Sequence, residues 1–329
     1  MMKKIYLMIL ILTGFNQAFS QQDSQFTQYV FNGIHINPAY AGYKDDLYMQ
    51  SFYRSQWVGV DGAPISFSIA GDMSVNNGNV GLGLIVSSDR LGAQNNLTAY
   101  ANYAYRIQVG YDEQSRLSFG IAAGFMQLGL DGNRLSGIDE GDEAIFYNNQ
   151  TKLLPDARAG IYYSDEKFFA GFSATNLLAK YAARGNTSNL LVPVPQPHFY
   201  LTGGALFPLA EGLMIKPTFL LKDDTKGPTS LDLNSFFLLN EKVWLGAFYR
   251  TTVTLYDKDY LQNGLNKKSA LGAMFELYVS PSLRIGYSYD YSLNALQNYN
   301  FGSHEISVGV YLHRSSTERR QRLLRCYDF

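Results

Sequence analysis

The pattern of this chain predicts an all-β fold: a transmembrane antiparallel β-barrel of about fourteen strands, with short turns at one end and longer loops at the other. Three observations carry the prediction. Runs of roughly ten residues alternate apolar with small or polar side chains and end at turn signals. The connections between runs tend to alternate between brief and long. Hydrophobic residues make up 46% of the 329, yet mean hydropathy is −0.14, which excludes a bundle of apolar membrane helices.

The chain opens with a secretory signal pattern over residues 1–20. Lys3 and Lys4 form a basic start, Ile5 to Leu12 an apolar core, and Ala18-Phe19-Ser20 a small-residue cleavage site. The apolar stretch falls short of the roughly 20 residues a membrane helix needs. Gln21 and Gln22 follow, so no cysteine is placed for lipidation. The only cysteine, Cys326, excludes an intrachain disulfide and a cysteine zinc site. A protein exported in this way stays in a membrane only as a closed barrel, whose backbone hydrogen bonds are all internal.

The runs lie near 46–57, 64–76, 79–88, 93–109, 114–128, 154–164, 166–178, 196–208, 211–221, 228–238, 241–252, 266–279, 281–292 and 303–313. Ile65, Phe67 and Ile69 alternate with Ser66, Ser68 and Ala70, and Leu283 to Tyr291 repeat the pattern near the end. Period two puts each set on one face, one toward lipid and one toward the lumen. Connections after even-numbered runs are brief, such as Asn77-Gly78, Leu209-Ala210 and Leu239-Asn240. Those at 129–153, 179–195, 253–265 and 293–302 are long, although the first two odd-numbered connections are short. Brief turns mark the periplasmic end of such barrels, and an even strand count leaves both chain ends there. The expected organisation is a signal peptide (1–20), a periplasmic N-terminal segment (21–45), an outer-membrane barrel (46–313) and a basic periplasmic tail (314–329).

A soluble β-sandwich also alternates. Against it, charged residues are only 17%, below the roughly 25% of ordinary soluble domains, and they gather in turns such as Asp223-Asp224. Aromatics at 15%, with 25 Tyr and 21 Phe, suit interfacial girdles. A net charge of −1 gives no sign of a nucleic-acid partner.

The densest signal follows the signal peptide. Gln25-Phe26-Thr27-Gln28-Tyr29 leads to Asn37-Pro38-Ala39-Tyr40-Ala41-Gly42, then Arg54-Ser55-Gln56-Trp57-Val58-Gly59, then Gly62-Ala63-Pro64. Arg158-Ala159-Gly160-Ile161-Tyr162-Tyr163 adds a further block. In this order the segments resemble the opening of PorP/SprF proteins, with a looser likeness along the rest of the chain. The resemblance implies an outer-membrane component of the Bacteroidota type IX secretion and gliding machinery. It further implies a role in export or surface attachment of adhesins that carry C-terminal sorting domains, and contact with periplasmic secretion and peptidoglycan-binding components.

Those residues also have a physical reading. Asn37 before Pro38 is held extended, and Gly42 is free to take positive φ and turn the chain toward the first strand. The stretch therefore reads as a periplasmic clasp or a plug leading into the lumen, either docking partners or closing the barrel base. Arg54 and Trp57 fall on opposite faces of the first run, Trp57 toward an interfacial girdle and Arg54 toward the lumen. A lumen charge needs a partner, and Asp72 is the expected carboxylate.

Catalytic and cofactor chemistry is not legible. His35, His198, His304 and His313 have no metal-ligand spacing, and no nucleophile elbow or phosphate loop appears. Ser303-His304-Glu305 alternate faces and do not converge. Asp131, Asp139, Glu140, Asp142 and Glu143 match no calcium loop and read as a solvated acidic loop. The tail holds Arg314, Arg319, Arg320, Arg322 and Arg325 against Glu318 and Asp328, and reads either as an idle solvated end or as a periplasmic docking element. The competing function is a passive outer-membrane pore or uptake channel, which requires an open, charge-lined lumen. The segment 21–45 and the long loops are the elements available to fill it.

Overall fold

The computed structural model describes residues 26–44, 46–110, 115–134, 149–183, 194–225, 227–258 and 268–312. The signal segment, most of the acidic loop and the arginine tail lie outside the described residues. The strands are β1 (Leu47–Ser55), β2 (Ile65–Val75), β3 (Val80–Leu91), β4 (Gln94–Gln108), β5 (Arg116–Leu130), β6 (Gln150–Ser164) and β7 (Phe168–Thr175). Next comes β8, His198–Ala205 continued after Leu206 as Phe207–Ala210. Then follow β9 (Leu213–Asp224), β10 (Thr229–Leu239), β11 (Val243–Val253), β12 (Lys268–Tyr278), β13 (Leu283–Ser292) and β14 (Ser303–Leu312). Each strand pairs antiparallel with its neighbours in the chain, and β14 returns to β1 in register from Leu47↔Leu312 to Ser55↔His304. The sheet is therefore a closed barrel of fourteen staves with no free edge strand.

Burial runs opposite to that of a soluble sheet. On β2, Ile65, Phe67 and Ile69 are exposed while Ser66, Ser68, Ala70 and Asp72 are buried. The same alternation holds on β5, where Phe119 and Ile121 face out and Ser118 and Ala122 face in. The apolar face meets lipid and the small or polar face lines the lumen. Brief connections at 76–79, 211–212 and 240–242 share one end with Leu47 and Leu312. Asn76, Asn77 and Gly78 all take positive φ in the first of these turns, which suits asparagine and glycine. The long connections share the other end.

The expected runs match these strands closely. The largest difference is β6, which begins at Gln150 because Leu130↔Gln150 extends its hairpin with β5 beyond the lipid-facing zone. Above that zone the outer face meets water, so the apolar alternation that marks a strand disappears. The other is Leu206, which is buried and interrupts β8 by donating its amide to the Lys167 carbonyl at 2.8 Å. Between β7 and β8 a single α-helical turn, α1 (Ala179–Ala183), packs on β6.

Candidate functional site

The signature residues of the N-terminal segment form a plug inside the barrel. From Phe26 to Lys44 the chain folds as three short 3-10 turns, at Thr27–Phe31, Gly33–His35 and Pro38–Tyr40. Asparagines start the second and third turns. The Asn32 side chain accepts from the Ile34 amide at 3.4 Å, and Asn37 accepts from Ala39 at 2.9 Å with Pro38 at the first position. An oxygen-bearing side chain in this position satisfies an amide that a short helix leaves bare, and proline there has no amide to waste. Asn37 is extended (φ −141°, ψ 114°), as a residue before proline must be. Gly42 takes φ 76° and hands the chain toward β1. Phe31, Ala39 and Ala41 are fully buried, and Tyr29, Ile34, Tyr40 and Tyr43 nearly so.

The plug runs down the lumen instead of clasping one end. Thr27 lies beside Arg54 near the long-loop end of β1, whereas Gly42 meets Asp72 near the brief-turn end of β2. Residues 26–44 thus reach from one end of the lumen toward the other, and only the last of them lie near the brief-turn end. The reason is volume: a lumen face of serine, alanine and glycine leaves space for a chain. A Cβ built on Gly120 would overlap the backbone of Ala39, and one on Gly81 would overlap the Ala41 carbonyl. The wall is bare where the plug backbone passes.

Wall side chains read that backbone. Ser118 donates to the Ala39 carbonyl at 2.7 Å and Ser173 to the Ile36 carbonyl at 2.5 Å. Arg106 donates to the Ala41 carbonyl, and Asp72 accepts from the Gly42 amide at 2.6 Å. In the other direction, Asn37 donates to the Ile161 carbonyl of β6 at 2.9 Å. Tyr40 and Tyr43 stack at 5.3 Å and meet Tyr162 edge-on, within the second signature block. His35 packs on Phe26 and Phe52. Burial, with the nearby Arg158 charge, lowers its pKa to about 3 and keeps it neutral.

The upper end of the plug is tied into a buried charge network. Arg54 reaches Asp290 at 2.7 Å and Glu305 at 3.1 Å, and donates to the Thr27 hydroxyl at 2.7 Å. Glu305 also accepts the Thr27 and Gln28 amides at 2.7 and 2.8 Å. Arg250 grips Asp232 through two hydrogen bonds of 2.9 Å and touches Asp290 at 3.5 Å. Three carboxylates thus face two guanidiniums, and the plug's amides supply the missing donors. Arg54 does point into the lumen, but its partners are Asp290 and Glu305, not Asp72. Register decides this: Arg54 sits opposite Glu305 on β14 and Ser66 on β2, six pairs along from Asp72.

The signature therefore splits between two ends. Asn37 to Gly42 form the lower plug and Arg54 the latch. Gln56, Trp57, Gly62, Ala63 and Pro64 form the β1–β2 loop at the far end, closed by Gln56 N to Pro64 O at 2.9 Å and Gly92 N to Gly62 O at 2.9 Å. Trp57 is not on a strand face; it takes φ 49° beyond β1 and donates its amide to Ser303 at 3.1 Å. Ser303 and Glu305 face the lumen, while His304 turns to the Tyr287 hydroxyl at 2.7 Å, so these three do not converge. Asp232, Arg250 and Asp290 escaped the sequence reading. Their signal was present: each is a charge at the inward phase of a lipid-facing alternation, as Asp290 is between Tyr289 and Tyr291.

Among solved structures the chain resembles the monoaromatic hydrocarbon channel CymD, with a TM-score of 0.50 and 10% identity over 86% of this chain and 93% of that one. Omp33 of Acinetobacter baumannii matches with a TM-score of 0.47 and 8% identity, covering 82% of this chain and 98% of its own. A Pseudomonas aeruginosa FadL homologue matches at 0.46 and 11%, covering 91% and 96%. At such identities the likeness concerns the fold alone. No curated protein matches the sequence. Residues 18–310 match the family described as type IX secretion system membrane protein PorP/SprF, a span that holds the plug, its latch and every strand but the end of β14. With the signature residues built into a plugged, lipid-facing barrel, this chain belongs to the PorP/SprF family of type IX secretion system outer-membrane proteins.

Proposed function

We propose that this type IX secretion component is a plugged outer-membrane scaffold that supports the secretion or surface anchoring of adhesins with C-terminal sorting domains. It does so by holding partners, not by passing solute. One observation supports this reading above others: residues 26–44, which carry the family-signature stretch Asn37 to Gly42, are spent on filling and latching the lumen, with Phe31, Ala39 and Ala41 fully buried. A pore would keep that volume open. The brief-turn end and the basic tail, Arg314, Arg319, Arg320, Arg322 and Arg325, are the surfaces for periplasmic secretion and peptidoglycan-binding components. The residues of the β1–β2 loop, Gln56 to Pro64, are offered at the opposite, outer end.

The test is co-purification from solubilised outer membranes, comparing the wild type with a variant lacking residues 37–42. Adhesins and periplasmic secretion components are expected with the wild type and at least severalfold less with the deletion. Equal recovery, with surface display unaltered, would remove the plug from any partner role. The pore reading draws on the charges lining the lumen behind the plug, and predicts steady large conductance from the purified wild type in planar bilayers. The scaffold reading predicts a closed baseline.

A further inference from the structure

A groove of about 280 Å³ lies at the long-loop end, between the β1–β2 loop and the upper ends of β2 and β3. On β3 the outward residues run Leu82, Leu84, Val86, Ser88 and Arg90, so the apolar series stops four residues, about 13 Å of strand, before Arg90. Arg90 pairs directly with Ile65 of β2, and cross-strand partners share a face. Ile65 is 41% exposed and begins the lipid-facing series Ile65, Phe67 and Ile69. Arg90 therefore stands on the outer flank of the barrel just above the apolar belt, at the height of the headgroups. Ile65 and Arg90 form one side of the groove, and the loop residues Val60, Gly62 and Ala63 form the other. Hydrogen bonds from Val58 N to Gly302 O and from Phe301 N to Val58 O, each 2.8 Å, hold the loop in place. The charge of the lining is of one sign: Arg90 and Arg134 belong to it, and no aspartate or glutamate does. Arg90 is exposed and makes no ion pair or side-chain hydrogen bond among the described residues. Arg134 reaches Asp131 at 3.5 Å through Nε and keeps half of its side chain exposed.

We propose that this groove binds the phosphate of an outer-leaflet lipid, with Arg90 as its principal donor and Arg134 as a second. A guanidinium presents paired N–H donors that match the oxygens of a phosphate, and the resulting hydrogen bonds are charge-assisted. Two observations favour a lipid over an acidic protein segment. Arg90 projects from the lipid-facing side of the wall, not from the lumen or the loop tips. The groove also runs directly into the exposed apolar belt, where Phe67, Ile69 and Val86 offer a surface for acyl chains below a headgroup held by Arg90. Space is left for the headgroup: Gly92, also on the lining, has nothing within 4 Å of a Cβ built on it. The fixed loop keeps the site formed before the lipid arrives, which spares the ordering cost of binding. This inference goes beyond the secretion role, because the site lies on the outer flank and not on the plug. Its readout is lipid binding by the purified protein, so it fails or stands separately from the recovery of adhesins.

The experiment uses the full-length protein in a non-ionic detergent and measures bound lipid by native mass spectrometry. The probes are diphosphoryl lipid A, its dephosphorylated form and hexaglutamate. Diphosphoryl lipid A is expected to bind, and the dephosphorylated form about tenfold more weakly, since each cation beside an anionic headgroup contributes about fivefold. Arg90→Gln should weaken diphosphoryl lipid A about fivefold while leaving the dephosphorylated form unchanged. Ala63→Trp should fill the groove and abolish the preference for the phosphorylated lipid. Lys268→Gln, which removes an exposed cation at the same end of the barrel on β12, should change nothing. Heat-modified migration checks that each variant remains a folded barrel, and Ile65→Trp replaces Ala63→Trp if that variant fails the check. Equal binding of the two lipids overturns the assignment of the phosphate. Wild-type affinity in Arg90→Gln, or an equal loss in Lys268→Gln, overturns the site. Hexaglutamate that displaces the lipid from the wild type and not from Arg90→Gln assigns the groove to an acidic protein segment and overturns the lipid.

Discussion

Replacing Arg54 by methionine isolates the latch. The change keeps the stem's bulk and deletes three contacts, to Asp290 at 2.7 Å, Glu305 at 3.1 Å and the Thr27 hydroxyl at 2.7 Å. Asp290, Glu305 and Asp232 are left facing Arg250 alone. Removing one member of a buried ion pair costs about 3–5 kcal/mol, chiefly because the surviving charge is stranded away from water. The closed ladder between β1 and β14 does not depend on the Arg54 side chain, so the loss falls on the plug. Its first turn is the only part of this network free to leave. In Arg54→Met the plug should become accessible to protease at concentrations that leave the wild type intact, and bilayer conductance should appear. Adding Asp290→Asn and Glu305→Gln removes the stranded charges and should restore most of the protection. An Arg54→Met protein with wild-type protection and a closed baseline would refute the latch. A triple variant as open as the single one would refute the charge argument while leaving the contact itself in place.

Gly120→Val places a side chain where the Ala39 backbone lies, so it should expel the lower plug and open conductance without lowering heat-modified migration of the barrel. His35 titrates abnormally low, so its contribution to plug retention is complete above its ordinary value of 6.5 and is lost as pH falls toward about 3. Protease access to the plug should therefore rise through that window, and His35→Gln should flatten that part of the profile; identical profiles would remove His35 as a cause. The five arginines of residues 314–325 should give salt-sensitive recovery of periplasmic partners, because exposed charges are screened within about 8–10 Å at moderate ionic strength. Replacement of all five by glutamine should abolish that sensitivity, and unchanged recovery at low and moderate salt would leave the tail without a docking role.

The sequence alone determined the barrel, because a lipid-facing strand must alternate and a turn must break the alternation. Ile65, Phe67 and Ile69 against Ser66, Ser68 and Ala70 state the face of β2 without any partner being known. The local geometry of Asn37-Pro38 and Gly42 was legible for the same reason: backbone restrictions act within one or two residues. The family signature was legible too, but not what its parts do together. Only the tertiary structure decided that Phe26 to Lys44 descend through the lumen, because that depends on the summed small side chains of several strands, with Gly81 and Gly120 about forty residues apart. Only closure of the barrel brought Asp290 and Glu305 to Arg54. Asp72 and Glu305 both satisfy the inward parity, and parity fixes the face but not the height. Height is set by register between β1 and β14, strands at opposite ends of the chain, whose pairing no local pattern encodes.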